Sequence, residues 1–368
     1  MKIGLVLPGF SADERDWCIP ALLDFVRQLA ACHTVHVFAL EYPYRRDVYF
    51  VDGAIVHSMN GRNRGVRYAP RLWLDTLAAI RAEHRRAPFD LLHAFWANEP
   101  ATLAILAGRA LQTPVVVSIA GGELIGLRDI HYGGQLRWIE RTMVRWATRA
   151  ADRVTVGSRY LRQIAARWRA DACLAPLGVD ARLFSPARRE SKPPIRILNV
   201  ASLVPVKGQR QLLRAFAQLA PRDACLEIIG AGALEKELCE QAHALRIADR
   251  VAISGAVSHE ALAQKYRAAD LFVQSSRHEA EGMAVLEAAA CGAPVAGTPV
   301  GIAPELANDD GAVAARGFDP DDLASAMAAG LDARARLSSH AREIVERDFS
   351  LEATWRKWTE LYQQTQRA

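Results

Sequence analysis

The sequence predicts an α/β protein made of two doubly wound, Rossmann-like domains. Three observations carry this. Short β-branched apolar runs alternate with longer stretches of helical period from end to end. The apolar runs are nearly continuous, as strands of a parallel sheet covered on both faces are. The alternation pauses at a charged, proline-bearing stretch, "ARRESKPP" at residues 187–194, and then restarts; the length of 368 residues suits two domains.

In the first half, "KIGLVLP", "HTVHVFAL", "GAIVHSM", "FDLLHAF", "TPVVVSIA" and "DRVTVGS" are expected as strands. The helices between them include "ALLDFVRQLAA", "RLWLDTLAAIRAEHRR" and "GQLRWIERTMVRWATRAA". In the second half, "IRILNVAS", "ACLEIIGAG", "RVAISGAV", "DLFVQSS" and "APVAGTP" are expected as strands. The tail "SLEATWRKWTELYQQ" reads as a helix capped by Ser350, with Leu351, Trp355, Trp358, Leu361 and Tyr362 on one apolar stripe. The expected division is a first domain over residues 1–188, a second over 195–350 and a terminal helix over 351–368. Ligands of such sheets sit at the carboxyl ends of the strands, so two facing units predict a cleft between them.

Composition narrows the class. Apolar residues make up 51% and charged ones 24%, the balance of a soluble globular chain. No apolar run has the length of a membrane span. The start "MKIGLVLPGF" is broken by Pro8 and Gly9, a strand and turn and not a signal peptide. The six cysteines form no Cys-x-x-Cys pair, which points to buried thiols in a reducing cytoplasm. The net charge of +5 favours anionic partners: a nucleotide diphosphate, an anionic lipid surface or nucleic acid. Nucleic acid is disfavoured, because the aromatics form no known base-stacking platform.

The stretch "SSRHEAEGMAVLEAAACGAPVAGTPVG", residues 275–301, carries the chemistry. "GMAVLEAAACG" reads as a short helix that begins near Gly282 and stops at Gly292, with Pro294 just beyond. The first amides, around Gly282, Met283 and Ala284, then form an anion site suited to a diphosphate. Glu279 precedes this helix start and Glu287 lies about one turn inside it. Carboxylates beside an anion site make sense as acceptors for sugar hydroxyls, one for a ribose diol and one for a transferred sugar. The competing reading is that both merely complement the helix dipole.

Glu-x7-Glu followed by "EAAACGAPVAGTPVG" resembles the donor-binding motif of the family-4 retaining glycosyltransferases, glycosyl transferases group 1, which have the GT-B fold. "PLGVDARLFSP", "SLVPVKG" and "VAISGAVSHEALAQKYRAADLFVQSS" resemble further segments of the same family in the same order. The resemblance implies that Lys207 is the cation on the donor diphosphate, that Gly9 approaches the phosphates and acceptor, and that the terminal helix returns to the first domain. It also implies front-face attack, with the leaving diphosphate helping to remove the acceptor proton. Two positions depart from the family. Ser202 stands where an arginine is usual, which shifts diphosphate neutralisation to Lys207, helix N-termini or Arg277. Ala120, before Gly121, stands where a histidine is usual; His93 and His131 are the alternatives near the reacting centre, although a strand-end histidine is commonly structural. Glu281 is either a third polar contact or a solvated side chain.

"GAGALE" has Glu235 in place of the third glycine of a dinucleotide fingerprint, and "DPDD" at residues 319–322 is a helix start. No His-Glu-x-x-His or Cys/His set is present, so no metal and no cofactor beyond the nucleotide-sugar substrate is expected. Basic and aromatic residues cluster in "YPYRRDVYF", "RNRGVRYAPRLWL" and "LRWIERTMVRWATR". In the last, Arg137, Arg141 and Arg145 recur beside Trp138 and Trp146, which suits docking on an anionic membrane carrying a lipid-linked acceptor, or an ordinary basic solvent face. The expected activity is transfer of a sugar from a nucleotide-diphosphate sugar to a glycan or lipid-linked acceptor, in the cytoplasm, either free or peripheral at the inner face of the membrane. The alternatives are an epimerase or hydrolase on the same scaffold, or a catalytically silent nucleotide-sugar binder.

Overall fold

The computed structural model describes residues 1–16, 18–61, 70–187, 193–219 and 223–367. Most of the expected linker, residues 188–192, and much of the basic stretch "RNRGVRYAPRLWL", residues 62–69, lie outside the described residues. Contacts divide the chain into two units. The first comprises Met1–Gly157, Leu161–Leu177 and Thr354–Ala368; the second comprises Ser158–Tyr160 and Gly178–Ala353.

The first unit is built on strands β1 (Lys2–Gly9), β2 (Thr34–Tyr42), β3 (Arg46–Val51), β4 (Ala54–Met59), β5 (Leu91–Phe95), β6 (Val115–Ile119), β7 (Arg153–Val156) and β8 (Cys173–Leu174). They form one sheet in the order β3-β4-β2-β1-β5-β6-β7-β8. Every neighbouring pair is parallel except β3 with β4. The accompanying helices are α1 (Pro20–Cys32), α2 (Pro70–Arg86), α3 (Glu99–Leu111), α4 (Trp138–Ala150) and α5 (Arg159–Ala165). β5 and β6 are buried along their whole length, which is why their sequences run apolar without alternation. β3 was not expected from sequence. It is an antiparallel edge strand whose outward Val48 and Phe50 are 60% and 73% exposed, so it lacks the buried pattern of its neighbours.

The second unit has strands β9 (Ile195–Val200), β10 (Ala224–Ile229), β11 (Val251–Ser254), β12 (Leu271–Gln274), β13 (Val295–Gly297) and β14 (Val313–Ala314), in the order β11-β10-β9-β12-β13-β14 and all parallel. Its helices are α6 (Gln209–Gln218), α7 (Glu235–Ala244), α8 (His259–Ala268), α9 (Met283–Ala290), α10 (Ala303–Asn308), α11 (Pro320–Asp332) and α12 (Arg334–Ile344). Alternate residues of each strand feed two apolar layers. Leu198 and Phe272 join Val285, Leu286 and Phe349 on one side; Ile197, Leu271 and Val273 join Leu212, Phe216 and Met327 on the other. The chain ends in α13 (Leu351–Arg367). Ser350 Oγ accepts from the Ala353 amide at its start, and Trp358, Leu361 and Tyr362 pack into the core of the first unit with Phe25 and Phe95. The division in contacts falls at Leu177, ahead of the proline-bearing stretch, because Val179 and Phe184 belong to the core of the second unit.

Candidate active site

β9 and β12 are hydrogen-bonded neighbours, with Leu271 opposite Ile197 and Phe272 opposite Leu198. The loops at their carboxyl ends therefore run side by side. After β9 the chain makes a turn at Pro205–Lys207 and reaches Gly208, whose φ is +67°. A Cβ there would stand 2.1 Å from the Ser275 carbonyl oxygen, so only glycine fits. Ser275 Oγ donates to the Lys207 carbonyl at 2.8 Å, and the Arg277 amide donates to the Val206 carbonyl at 2.7 Å. These bonds fix both backbones. As a result Lys207 Nζ lies 2.6 Å from Glu279 Oε1, across 72 residues of sequence. Ser276 Oγ donates to the same carboxylate oxygen at 2.6 Å. Lys207 is 25% and Glu279 16% exposed, so the pair remains reachable from solvent.

α9 follows at once. Gly282, at its N-terminal boundary, has a φ of +103°. By helix geometry the amides of Met283 and Ala284 have no partner within the helix, as the sequence predicts. Gly292 ends the helix at a φ of +73°, with the Ala293 amide bonded to the Ala288 carbonyl. Glu287, inside α9, is only 9% exposed, and Tyr266 of α8 donates its hydroxyl to Oε2 at 2.7 Å. Burial first, and then the neighbouring carboxylate, hold the Tyr266 hydroxyl well above the ordinary phenol range, so it stays a donor.

Glu281 is not a solvated side chain. It is buried, and the Gly178 amide approaches its Oε1 at 3.5 Å. Ser202 is exposed, and its carbonyl accepts from Gln209 Nε2 at 3.0 Å. Arg277 is partly buried on the same loop as Glu279.

The remaining expected residues lie in the first unit. Gly9 ends β1 against Tyr42, where a Cβ would meet Tyr42 Cβ at 3.1 Å. Gly121 follows β6, and its amide donates to Glu123 Oε2 at 2.7 Å. Glu123 Oε1 also accepts from the amides of Ala97 and Ala120, each at 3.2 Å, so one buried carboxylate ties the ends of β5 and β6 together. Burial pushes its carboxyl up, and its own amide together with those of Ala120, Ala97 and Gly121 opposes that shift. Exposed His131, at a φ of +51°, lines a cavity of about 320 Å³ with Trp96, Asn98, Tyr132 and Arg137.

His93 requires a correction. It is fully buried in β5, with Nδ1 2.7 Å from the Tyr362 hydroxyl and Nε2 2.7 Å from Ser118 Oγ. Both ring nitrogens are engaged and no face reaches solvent, so it is a structural residue and not a group that meets substrate. Burial pushes it down to about 3, which keeps it neutral.

A family model described as Glycosyl transferases group 1 matches residues 181–346, and one described as Glycosyl transferase 4-like domain matches residues 19–173. The GDP-mannose-dependent alpha-(1-6)-phosphatidylinositol monomannoside mannosyltransferase of Mycolicibacterium smegmatis is 30% identical over 314 residues, which cover 77% of each chain. The chain belongs to the group 1 glycosyl transferases. A GDP-mannose-dependent monoacylated alpha-(1-6)-phosphatidylinositol monomannoside mannosyltransferase of Corynebacterium glutamicum is 29% identical over 297 residues, covering 73% of this chain and 75% of that one. Among solved structures, sucrose-phosphate synthase of Thermosynechococcus elongatus superposes with a TM-score of 0.79 at 20% identity, covering 99% and 98% of the two chains. Anabaena HepE in complex with UDP superposes with a TM-score of 0.74 at 19% identity, covering 99% and 100%. These likenesses show the GT-B fold.

For a group 1 glycosyl transferase, the residues that sequence reasoning missed are those that hold the named ones. Tyr266 fixes Glu287, Ser276 fixes Glu279, and Glu123 fixes Gly121. Tyr266 gave no local signal, because it meets Glu287 only through the packing of α8 on α9. Glu123 gave a weak one, an acidic residue directly after "AGG" at a strand end. Among the described residues no three His, Cys, Asp or Glu side chains group as a metal site, and no helix is long and apolar enough to cross a membrane.

Proposed function

We propose that this glycosyltransferase moves a hexosyl group from a nucleoside-diphosphate sugar to a hydroxyl of a lipid-linked or glycan acceptor, with retention and without a metal ion. The observation that carries the reading is the set held at the carboxyl ends of β9 and β12: the Lys207 ammonium, the leading amides of α9, and two carboxylates eight residues apart. Lys207 and the amides of Met283 and Ala284 take the diphosphate, with Arg277 as a further cation in place of the one that Ser202 does not supply. Glu287 takes the ribose diol and Glu279 the sugar hydroxyls. Such a site works by positioning and by stabilising the departing diphosphate. Gly9 approaches the donor phosphates and the acceptor, and Gly121 and His131 are further contacts near the reacting centre.

The relatives' names mention GDP-mannose and phosphatidylinositol monomannoside, and HepE is described with UDP and UDP-glucose. These support a nucleotide-sugar donor and a glycolipid acceptor. We place the enzyme in the cytoplasm as a peripheral protein of an anionic membrane face. Two features of α4 support this: Arg141 and Arg145 are exposed, and Trp138 at the helix start is 72% exposed.

The test is titration of wild type and Glu287→Ala with UDP and GDP. The nucleotide that binds wild type is expected to bind Glu287→Ala about 10-fold more weakly, the loss of one charge-assisted bond. Unchanged affinity in a folded variant removes Glu287 from the ribose site.

A further inference from the structure

Lys207 has been read as the cation for the donor diphosphate, yet in this structure it holds a carboxylate. Its Nζ lies 2.6 Å from Glu279 Oε1. The contact is built in, because the two backbones cannot drift apart. Gly208 abuts the Ser275 carbonyl, and the Arg277 amide is bonded to the Val206 carbonyl. On the other side Gly301, at a φ of +62°, leaves no room for a Cβ, which would stand 2.8 Å from Glu279 Cβ. Glu279 is thus confined between the Lys207 loop and the turn at Gly301, and only its side chain has freedom to move.

We propose that Glu279 is a sugar-sensing latch on Lys207, which makes the site prefer a sugar-bearing diphosphate over a bare one. The proposal rests on the reading of Lys207 as the diphosphate cation. A diphosphate drawn to Lys207 brings a second anion beside a half-buried carboxylate that shares the same ammonium, and like charges at such distances repel strongly away from bulk water. A sugar on the diphosphate offsets this, because its hydroxyls donate to Glu279 and replace the bonds given up at Lys207. A bare nucleoside diphosphate brings no such donors. After transfer the sugar leaves, Glu279 returns to Lys207, and release of the nucleotide product is favoured. Ser276 Oγ donates to the same oxygen at 2.6 Å, so the carboxylate has a neutral donor beside the ammonium.

The experiment is calorimetric titration at low salt of wild type, Glu279→Gln, Lys207→Ala and the double variant, using UDP and GDP as bare probes and UDP-glucose and GDP-mannose as sugar-bearing probes. Whichever base binds wild type is followed. Glu279→Gln keeps the shape and removes the charge. It is expected to bind the bare nucleotide about 10-fold more tightly than wild type, about 1.4 kcal/mol. The sugar nucleotide should gain nothing, so the preference for the sugar-bearing ligand shrinks. In the Lys207→Ala background the gain should vanish, as two residues acting through one contact require. Glu279→Ala gives the same direction if the Gln variant is poorly folded by its melting temperature. Bare-nucleotide affinity that is unchanged or weaker in folded Glu279→Gln and Glu279→Ala overturns the latch. Lys207→Ala with wild-type affinity for the bare nucleotide overturns the assignment of Lys207 itself, a separate failure. Binding of neither base to wild type overturns both.

Discussion

Single residues here act in supporting pairs. Glu287 has the chemistry for a ribose, but the Tyr266 hydroxyl at 2.7 Å decides where its carboxylate points. Tyr266→Phe removes only that donor from a buried acceptor, a loss of about 1–3 kcal/mol for the pair. It is expected to weaken nucleotide binding and to shrink the difference in affinity between ribose and 2′-deoxyribose nucleotides; titration with both sugars checks this. His93 shows the reverse case, a reactive side chain turned to structural use. Its folded value of about 3 lies below the ordinary histidine value, so below about pH 6.5 the unfolded chain binds a proton that the folded chain refuses. Stability is then complete above pH 6.5 and is lost as pH falls toward 3, by about 2 kcal/mol at pH 5 from this residue alone. His36, buried against His57 and pushed down to about 4, adds in the same direction. The melting temperature should fall as pH drops below 6.5, and less steeply in His93→Gln. That variant should keep near-wild-type turnover at pH 7.5, whereas a loss of about 100-fold or more would restore a proton-transfer role.

At the scale of elements, α4 is the part whose function the sequence raises and its surroundings refine. Arg137 is the boundary residue ahead of the helix and pairs with Glu140 at 2.9 Å, while Arg141 and Arg145 extend to solvent. Trp138 is exposed, but Trp146 is partly covered, with the Arg109 guanidinium 5.3 Å from its ring centre. The proposed docking face therefore offers one exposed tryptophan and not two. Replacing Arg137, Arg141 and Arg145 together by Gln is expected to abolish salt-sensitive sedimentation with anionic vesicles and to leave the melting temperature nearly unchanged. Binding that persists in the triple variant moves the contact to another surface, and no vesicle binding by wild type favours a soluble acceptor. α9 was legible in full from sequence, because glycine marks both of its ends and each glycine has a positive φ. β3 was not, because an exposed edge strand carries no buried alternation to read.

For the whole molecule, α13 begins with Leu351 in the second unit and, from Thr354 on, belongs to the first. Trp358 is the anchor: it donates Nε1–H to the Pro176 carbonyl at 2.9 Å and packs edge-on to Phe25 at 5.0 Å. Trp358→Ala is expected to destabilise the first unit by about 3–5 kcal/mol, read by thermal or denaturant unfolding, since it empties a fully buried site. The sequence by itself determined the two-sheet α/β architecture, the helix at Gly282 and the carboxylate pair Glu279 and Glu287. These follow from local periodicity, from glycines at positive φ and from residue spacing. Tertiary structure alone decided which side chains meet. Lys207 reaches Glu279 because β9 lies beside β12, Tyr266 reaches Glu287 because α8 packs on α9, and His93 is sealed by Tyr362 from the far end of the chain. Strand order and helix packing set these contacts over separations that no local pattern encodes, which is why His93 looked available in sequence and is not.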